Sequence, residues 1–163
     1  MMTETGVGRG VRLGVDVGKA RIGLAASDPD GLIATPVETI ARVLDANGND
    51  SADIARIVGE AVEREAAVIY VGLPRHLSGA EGAATADARS FAARLAAALP
   101  PSTIDLRMID ERMTTVTATA QLHQAGRKTK NQRAVIDQAA AVIILNTALD
   151  TERATGHRAG QPL

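Results

Sequence analysis

Val11-Arg12-Leu13-Gly14-Val15-Asp16-Val17-Gly18-Lys19-Ala20-Arg21-Ile22-Gly23-Leu24-Ala25-Ala26-Ser27-Asp28 reads as two strands joined by a tight turn at Gly18-Lys19-Ala20. With the two-residue period of a strand, Val11, Leu13, Val15 and Val17 share one face, and Ile22, Leu24 and Ala26 extend it. The other face carries Arg12, Gly14, Asp16 and Gly18, then Gly23, Ala25 and Ser27. One face is bulky and aliphatic; the other is made of very small residues and holds a single carboxylate, Asp16. An acid inside an apolar strand is costly unless it is paired, hydrogen-bonded or bound to a cation. Two readings follow. Asp16 is a metal-binding carboxylate whose glycine neighbours admit a phosphate backbone, or it accepts backbone hydrogen bonds in a hairpin turn.

Outward from this hairpin the chain alternates strands and helices. Ile33 to Val43 predicts a third strand, with Pro36 marking an edge or a bend. Ile54, Ile57, Val58, Ala61 and Val62 predict an amphipathic helix over residues 51–65, with Ser51 among the available N-caps. Ala67 to Leu73 is apolar on both faces, hence a central, parallel strand. Ser78-Gly79-Ala80-Glu81 has the form of a capping box. The helix after it places Ala84, Ala88, Phe91, Leu95 and Leu99 on one face and ends at Pro100-Pro101. Ile104 to Ile109 alternates as a half-exposed strand near an edge, Thr115 to Ala125 predicts a short helix closed by Gly126, and residues 133–151 predict the last helix. Two strand–helix–strand units after a three-strand meander predict a five-stranded mixed sheet with helices on both faces, the layout of an RNase-H-like fold. Residues 1–10 are expected to be a loose tail, 11–151 one domain, and 152–163 a disordered tail without apolar pattern.

Composition narrows the function. The chain has 163 residues, 45% of them apolar but only 1% aromatic, so aliphatic residues must build the core and base-stacking platforms are scarce. Cysteine is absent, which excludes disulfides, thiolate zinc sites and cysteine nucleophiles. Residues 1–10 lack the apolar core of a signal peptide, and the longest strictly apolar run, Ala139 to Leu145, is too short to span a bilayer. A soluble cytoplasmic protein without a membrane partner is expected.

Three further stretches carry chemistry. Asp110 and Glu111 close a strand at the carboxyl edge where open α/β sheets build their sites, although charged strand ends are also ordinary. Asp137 shares a helical face with Ala134, Ala141 and Leu145, so it lies near the stripe that should pack on the sheet. It either serves a site or is stabilised by the helix dipole. Arg127, Lys128, Lys130 and Arg133 are four of the chain's 18 Lys and Arg, and none of its 19 Asp and Glu falls between His123 and Arg133. That basic run leads into the helix of Asp137 and suits a polyanion. The Gly72-Leu73-Pro74-Arg75-His76 loop adds Arg75. A P-loop is excluded, since only three residues separate Gly14 from Gly18 and Ala20 stands where Ser or Thr is needed.

Asp16-Val-Gly-Lys-Ala-Arg-Ile-Gly23, Gly72-Leu-Pro74, Asp110-Glu-Arg-Met-Thr-Thr115 and Asp137-Gln-Ala-Ala-Ala141 resemble, in order and spacing, the YqgF/RuvX family over about residues 11–150. Members carry the names pre-16S rRNA nuclease and Holliday junction resolvase. The resemblance implies a fold related to RuvC-type resolvases. It also implies a metal-dependent endonuclease on structured nucleic acid, with Asp16, Glu111 and Asp137 both catalytic and ligating Mg²⁺ or Mn²⁺. Lys19, Arg21, Arg75, Arg112, Arg127, Lys128, Lys130 and Arg133 would then grip phosphates. The chain departs from the pattern at Ala20, where many members have a base. It departs again at Leu73-Pro74-Arg75, where RuvC-like enzymes take an acid from the fourth strand, so Glu111 must substitute. Expected partners are an rRNA precursor or branched DNA, together with ribosomal components, for a monomer or homodimer. The competing functions are a non-catalytic RNA-binding assembly factor and an actin-like phosphotransferase, for which 163 residues supply no second lobe.

Overall fold

A computed structural model describes residues 7–43, 51–75, 78, 81–101, 103–113 and 130–163, without the side chains of residues 130–132. The hairpin forms as expected: β1 is Val11–Val17 and β2 is Arg21–Ser27, antiparallel, with Asp16 opposite Gly23. β3, Ala34–Ala41, pairs antiparallel with β2, and the register slips between Leu24 and Ala25 beside Pro36. β3 is therefore an edge, where a residue that cannot donate to the ladder is tolerated. β4, Ala66–Leu73, lies parallel to β1, and β5, Asp105–Asp110, lies parallel to β4.

The sheet has six strands in the order β3-β2-β1-β4-β5-β6, not five. The addition, β6, is Gln161–Pro162, which pairs antiparallel with β5. Two residues, one of them proline, carry no strand period, so nothing in the local pattern announces them. The segment from residue 152 also departs from the expected structureless tail. The last helix, α3, runs Lys130–Thr155. Beyond it Ala159 is buried, and its N–H donates to the Tyr70 hydroxyl at 3.2 Å. Glu152 is buried as well, accepting from the Tyr70 hydroxyl, from Arg12 Nε at 3.0 Å and from Arg158 Nη1 at 3.0 Å. A charge-and-hydroxyl network holds this end in place. It leaves no apolar period to read.

Helices cover both faces. α1, Ala52–Glu63, and α2, Ala83–Ala98, bury Ile54, Ile57, Phe91 and Leu95 against the bulky face of β1 and β2. α2 starts at Ala83 behind Gly82, with no side-chain cap. Instead of closing a capping box, Glu81 pairs with Arg75 at 3.1 Å and Arg89 at 2.7 Å. The phase of α2 buries Thr85, whose hydroxyl donates to the Pro74 carbonyl, and leaves Ala84 exposed. The helix expected at residues 115–125 lies outside the described residues.

α3 covers the small face. Its length and apolarity would suit a bilayer, but Ala141, Ile144, Leu145, Ala148 and Leu149 are buried against Val68 and Tyr70 of β4. The hairpin's glycines make this packing close. A side chain at Gly14 would stand 2.8 Å from the Ala141 carbonyl oxygen, and one at Gly23 would collide with the backbone of Asp137.

Candidate active site

The carboxyl ends of β1, β4 and β5 and the first turns of α3 meet at one edge of the sheet. Asp16 is the sixth residue of β1, with Gly23 opposite it on β2. Gly23 admits the backbone of Asp137, so α3 sits directly over the hairpin. Thr39 pins this turn of α3: its hydroxyl donates to the Ala134 carbonyl at 2.6 Å and accepts from Gln138 Nε2 at 3.2 Å.

Glu111 arrives from the other side. β5 ends at Asp110, and a 3₁₀ turn, Glu111–Met113, buries Glu111. Its carboxylate passes over Gly72 of β4, where a Cβ would stand 3.0 Å from Glu111 Oε1 and 2.5 Å from Ile144 Cδ1. The missing acid on β4 and the glycine there are complementary: an absent side chain on one strand leaves the path by which Glu111 reaches the middle of the sheet.

Asp16 and Glu111 share a hydrogen bond between their carboxyl groups. Burial raises Asp16 to about 6, with the charge of Asp137 adding to the rise while the bond from Glu111 opposes it. Burial, then the charge and the hydrogen bond of Asp16, raise Glu111 to about 8. Like charges forced together out of water keep a proton between them. Asp137 is held differently: Arg21 Nε stands 2.7 Å from its Oδ2.

The three predicted acids thus meet, but not as one equal shell. Among the described residues no three His, Cys, Asp or Glu side chains stand close enough to enclose an ion. Two carboxyls touch, and the third is neutralised by a guanidinium. Two oxygen-rich, desolvated carboxyls fit a hard divalent cation, whose charge would replace their shared proton.

The predicted cations divide sharply. Arg112 wraps Asp110, with Nη2 at 2.6 Å from Oδ2, and this pairing holds Asp110 below the usual carboxylate range. Arg75 lies between Glu81 at 3.1 Å and Asp110 at 3.8 Å. Asp110 therefore has a structural partner in Arg112, and its charge adds to the rise of Glu111. Lys19, at the hairpin turn, and Arg133, one helical turn before Asp137, are exposed and carry no ion pair among the described residues. Lys130 opens α3, while Arg127 and Lys128 lie outside the described residues. Sequence reasoning missed Gly72 as a passage for Glu111, and also Thr39. The signals for Gly72 were a glycine in an otherwise bulky strand and its place in the Gly72-Leu-Pro74 motif.

A strand-end acid pair under a crossing helix, on a meander followed by two parallel strands, can be compared with known proteins. The profile of the RuvX family, described as a Holliday junction resolvase, matches residues 10–151. The chain belongs to the RuvX family. This is a family of nucleases. A relative from Nocardioides sp. is 54% identical over 154 residues, covering 93% of this chain and 95% of its own. Another, from Clavibacter michiganensis subsp. michiganensis, is 56% identical over 151 residues, covering 93% and 89%. Both carry the name "Putative pre-16S rRNA nuclease". Among solved structures, RuvC of T. thermophilus in complex with a Holliday junction substrate superposes with a TM-score of 0.60 at 14% identity, covering 94% of this chain and 99% of that one. At that identity the likeness concerns the fold, which is thereby RuvC-like, the RNase-H-like layout expected from the order of elements.

Proposed function

We propose that this chain is a metal-dependent endonuclease for structured nucleic acid, acting in the 5′-end maturation of pre-16S rRNA. The observation that carries this reading is the contact between half-buried Asp16 and buried Glu111. Two carboxyls that share a proton, at the strand edge beneath the N-terminal part of α3, form a site that gains most from a positive charge. Asp16 and Glu111 would hold Mg²⁺ or Mn²⁺, with Asp137 as third ligand once it leaves Arg21. A bound ion supplies Lewis acidity at the scissile phosphate.

The residues themselves supply orientation and charge. Thr39 and Gly23 fix the height of Asp137 above β2. Lys19, in the β1–β2 turn, and Arg133, one turn before Asp137 on α3, are exposed and meet the phosphate backbone, and Arg21 joins them when Asp137 is engaged elsewhere. The role in rRNA is supported by the names of relatives that share half or more of the aligned residues. Resolution of four-way DNA junctions is the second reading, supported by the family description. Ribosomal components are the inferred partners in the first case, and a homodimer, able to cut two strands symmetrically, in the second.

The test is parallel cleavage of a pre-16S RNA carrying its 5′ extension and of a four-way DNA junction, with and without Mg²⁺. Asp16→Asn should lose cleavage by a factor on the order of 10³ or more. Its affinity for the same substrate in chelator should be unchanged. Undiminished cleavage by the variant would overturn the proposal, and cleavage of the junction alone would favour the second reading.

A further inference from the structure

Arg42 follows β3 and is buried, its side chain only 5% exposed. Most of its hydrogen-bonding capacity is directed at the β1–β2 turn and at α2. Its backbone N–H donates to the Ala20 carbonyl at 2.9 Å, and its Nη1 donates to the Gly18 carbonyl at 3.0 Å. The same guanidinium grips Asp87 of α2, Nη1 to Oδ2 at 2.5 Å and Nη2 to Oδ1 at 3.1 Å. It also lies 5.3 Å from the centroid of the Phe91 ring, so α2 fixes it in two ways. The turn is tight on its own account: the Gly18 N–H donates to the Arg21 carbonyl at 2.9 Å, and a Cβ on Gly18 would stand 2.8 Å from that oxygen. Within this turn stand Lys19, exposed and without an ion pair among the described residues, and Arg21, the partner of Asp137.

We infer that Arg42 is a positioning residue for nucleic-acid binding, bracing the Gly18–Arg21 turn against α2 so that Lys19 and Arg21 face phosphate. The inference rests on the reading above, in which this turn meets the polymer. Arg42 is too buried to make that contact. The ladder does not do this work alone, because β1 pairs with β4 only as far as Val15 and beyond it has β2 as its single neighbour. Lysine could not replace it: one ammonium on a flexible stem cannot span a carbonyl and both oxygens of a carboxylate, whereas the planar fork does so with little loss of freedom. Asp16 and Glu111 do not touch Arg42. The brace therefore acts on affinity, through Lys19 and Arg21.

The experiment is fluorescence anisotropy with a labelled pre-16S 5′-leader RNA in chelator, so that no cleavage is needed, across a salt series. Arg42→Lys and Asp87→Asn should each weaken binding about fivefold and lower the salt slope by nearly one phosphate contact, as Lys19→Ala does. Combined with Lys19→Ala, either substitution should add less than its separate effect. Arg42→Ala is included, and the two milder variants carry the test if it fails to fold. An unchanged salt slope, or losses that add fully, overturns the inference. RNA that binds but is never cut removes the nuclease reading and leaves this one standing. RNA that is cut by a protein indifferent to Arg42 does the reverse, and absence of binding by the unsubstituted chain overturns both.

Discussion

Arg21 and Asp137, 116 residues apart, are joined at 2.7 Å between Nε and Oδ2 across the gap that Gly23 leaves open. One residue begins β2 and the other lies two turns into α3, so this single ion pair ties the hairpin to the helix that covers it. It completes the resting arrangement of the site: Asp16 and Glu111 hydrogen-bond to each other, and the third acid has an arginine.

The strength of that tie is measurable. Both side chains are partly open to water, 32% for Arg21 and 17% for Asp137, so solvent screens the pair. A double-mutant cycle with Arg21→Met and Asp137→Asn, read by urea unfolding, should give a coupling of roughly 0.5–1 kcal/mol.

Two glycines packed under α3 and one in open space on α1 predict opposite outcomes. Gly23→Ala and Gly72→Ala must push aside the backbone of Asp137 in one case, Ile144 and Glu111 in the other, at about 1–3 kcal/mol each. Gly59, within α1, has nothing within 4 Å of an added Cβ, so Gly59→Ala should stabilise by about 0.5–1 kcal/mol. Thermal or urea unfolding of the three variants distinguishes them directly.

The acid pair makes stability depend on pH. Burial pushes Asp16 up to about 6, and burial with the charge of Asp16 pushes Glu111 up to about 8, from 3.8 and 4.5 for free carboxyls, so the folded state binds more protons between these limits. Stability should fall as pH rises through that window, by up to about 1.4 kcal/mol per pH unit for each proton retained. Glu111→Gln, which mimics the protonated acid, should flatten the upper part of the profile, between pH 6 and 8. Urea unfolding in chelator at four pH values checks this, and an equally steep profile in the variant contradicts it.

At the far end of α3, Tyr70→Phe deprives buried Glu152 of one donor and the Ala159 N–H of its acceptor. A loss of about 1–3 kcal/mol in unfolding free energy is expected. Deletion of residues 157–163 should cost at least as much, since Arg158, Ala159 and β6 leave together.

Much of this architecture could be read along the chain. The alternation in residues 11–27 separated a bulky face from a small one open to close approach, because strand periodicity is local and survives any tertiary context; that α1 and α2 cover the bulky face came from the structure. The double apolarity of residues 67–73 marked β4 as central for the same reason, and Pro36 marked an edge. Asp16 and Asp137 stood out as acids in apolar settings that need a partner, whereas the choice of Glu111 beside Asp110, and the grouping of the three, came from the resemblance to the YqgF/RuvX family. Which partner each would find could not be read.

That choice belonged to the tertiary structure. Glu111 reaches Asp16 because Gly72 leaves room on the strand between them, and Asp137 meets Arg21 because α3 returns over Gly23. Arg75 and Arg112, equal to the other bases as sequence, are spent on Glu81 and Asp110, whereas Lys19 and Arg133 stay exposed. β6 and the Arg12–Glu152–Tyr70 network were equally unreadable, because they rest on contacts between distant polar groups and leave no period. Periodicity decides which way a side chain faces. Only the return path of the chain decides what it meets there.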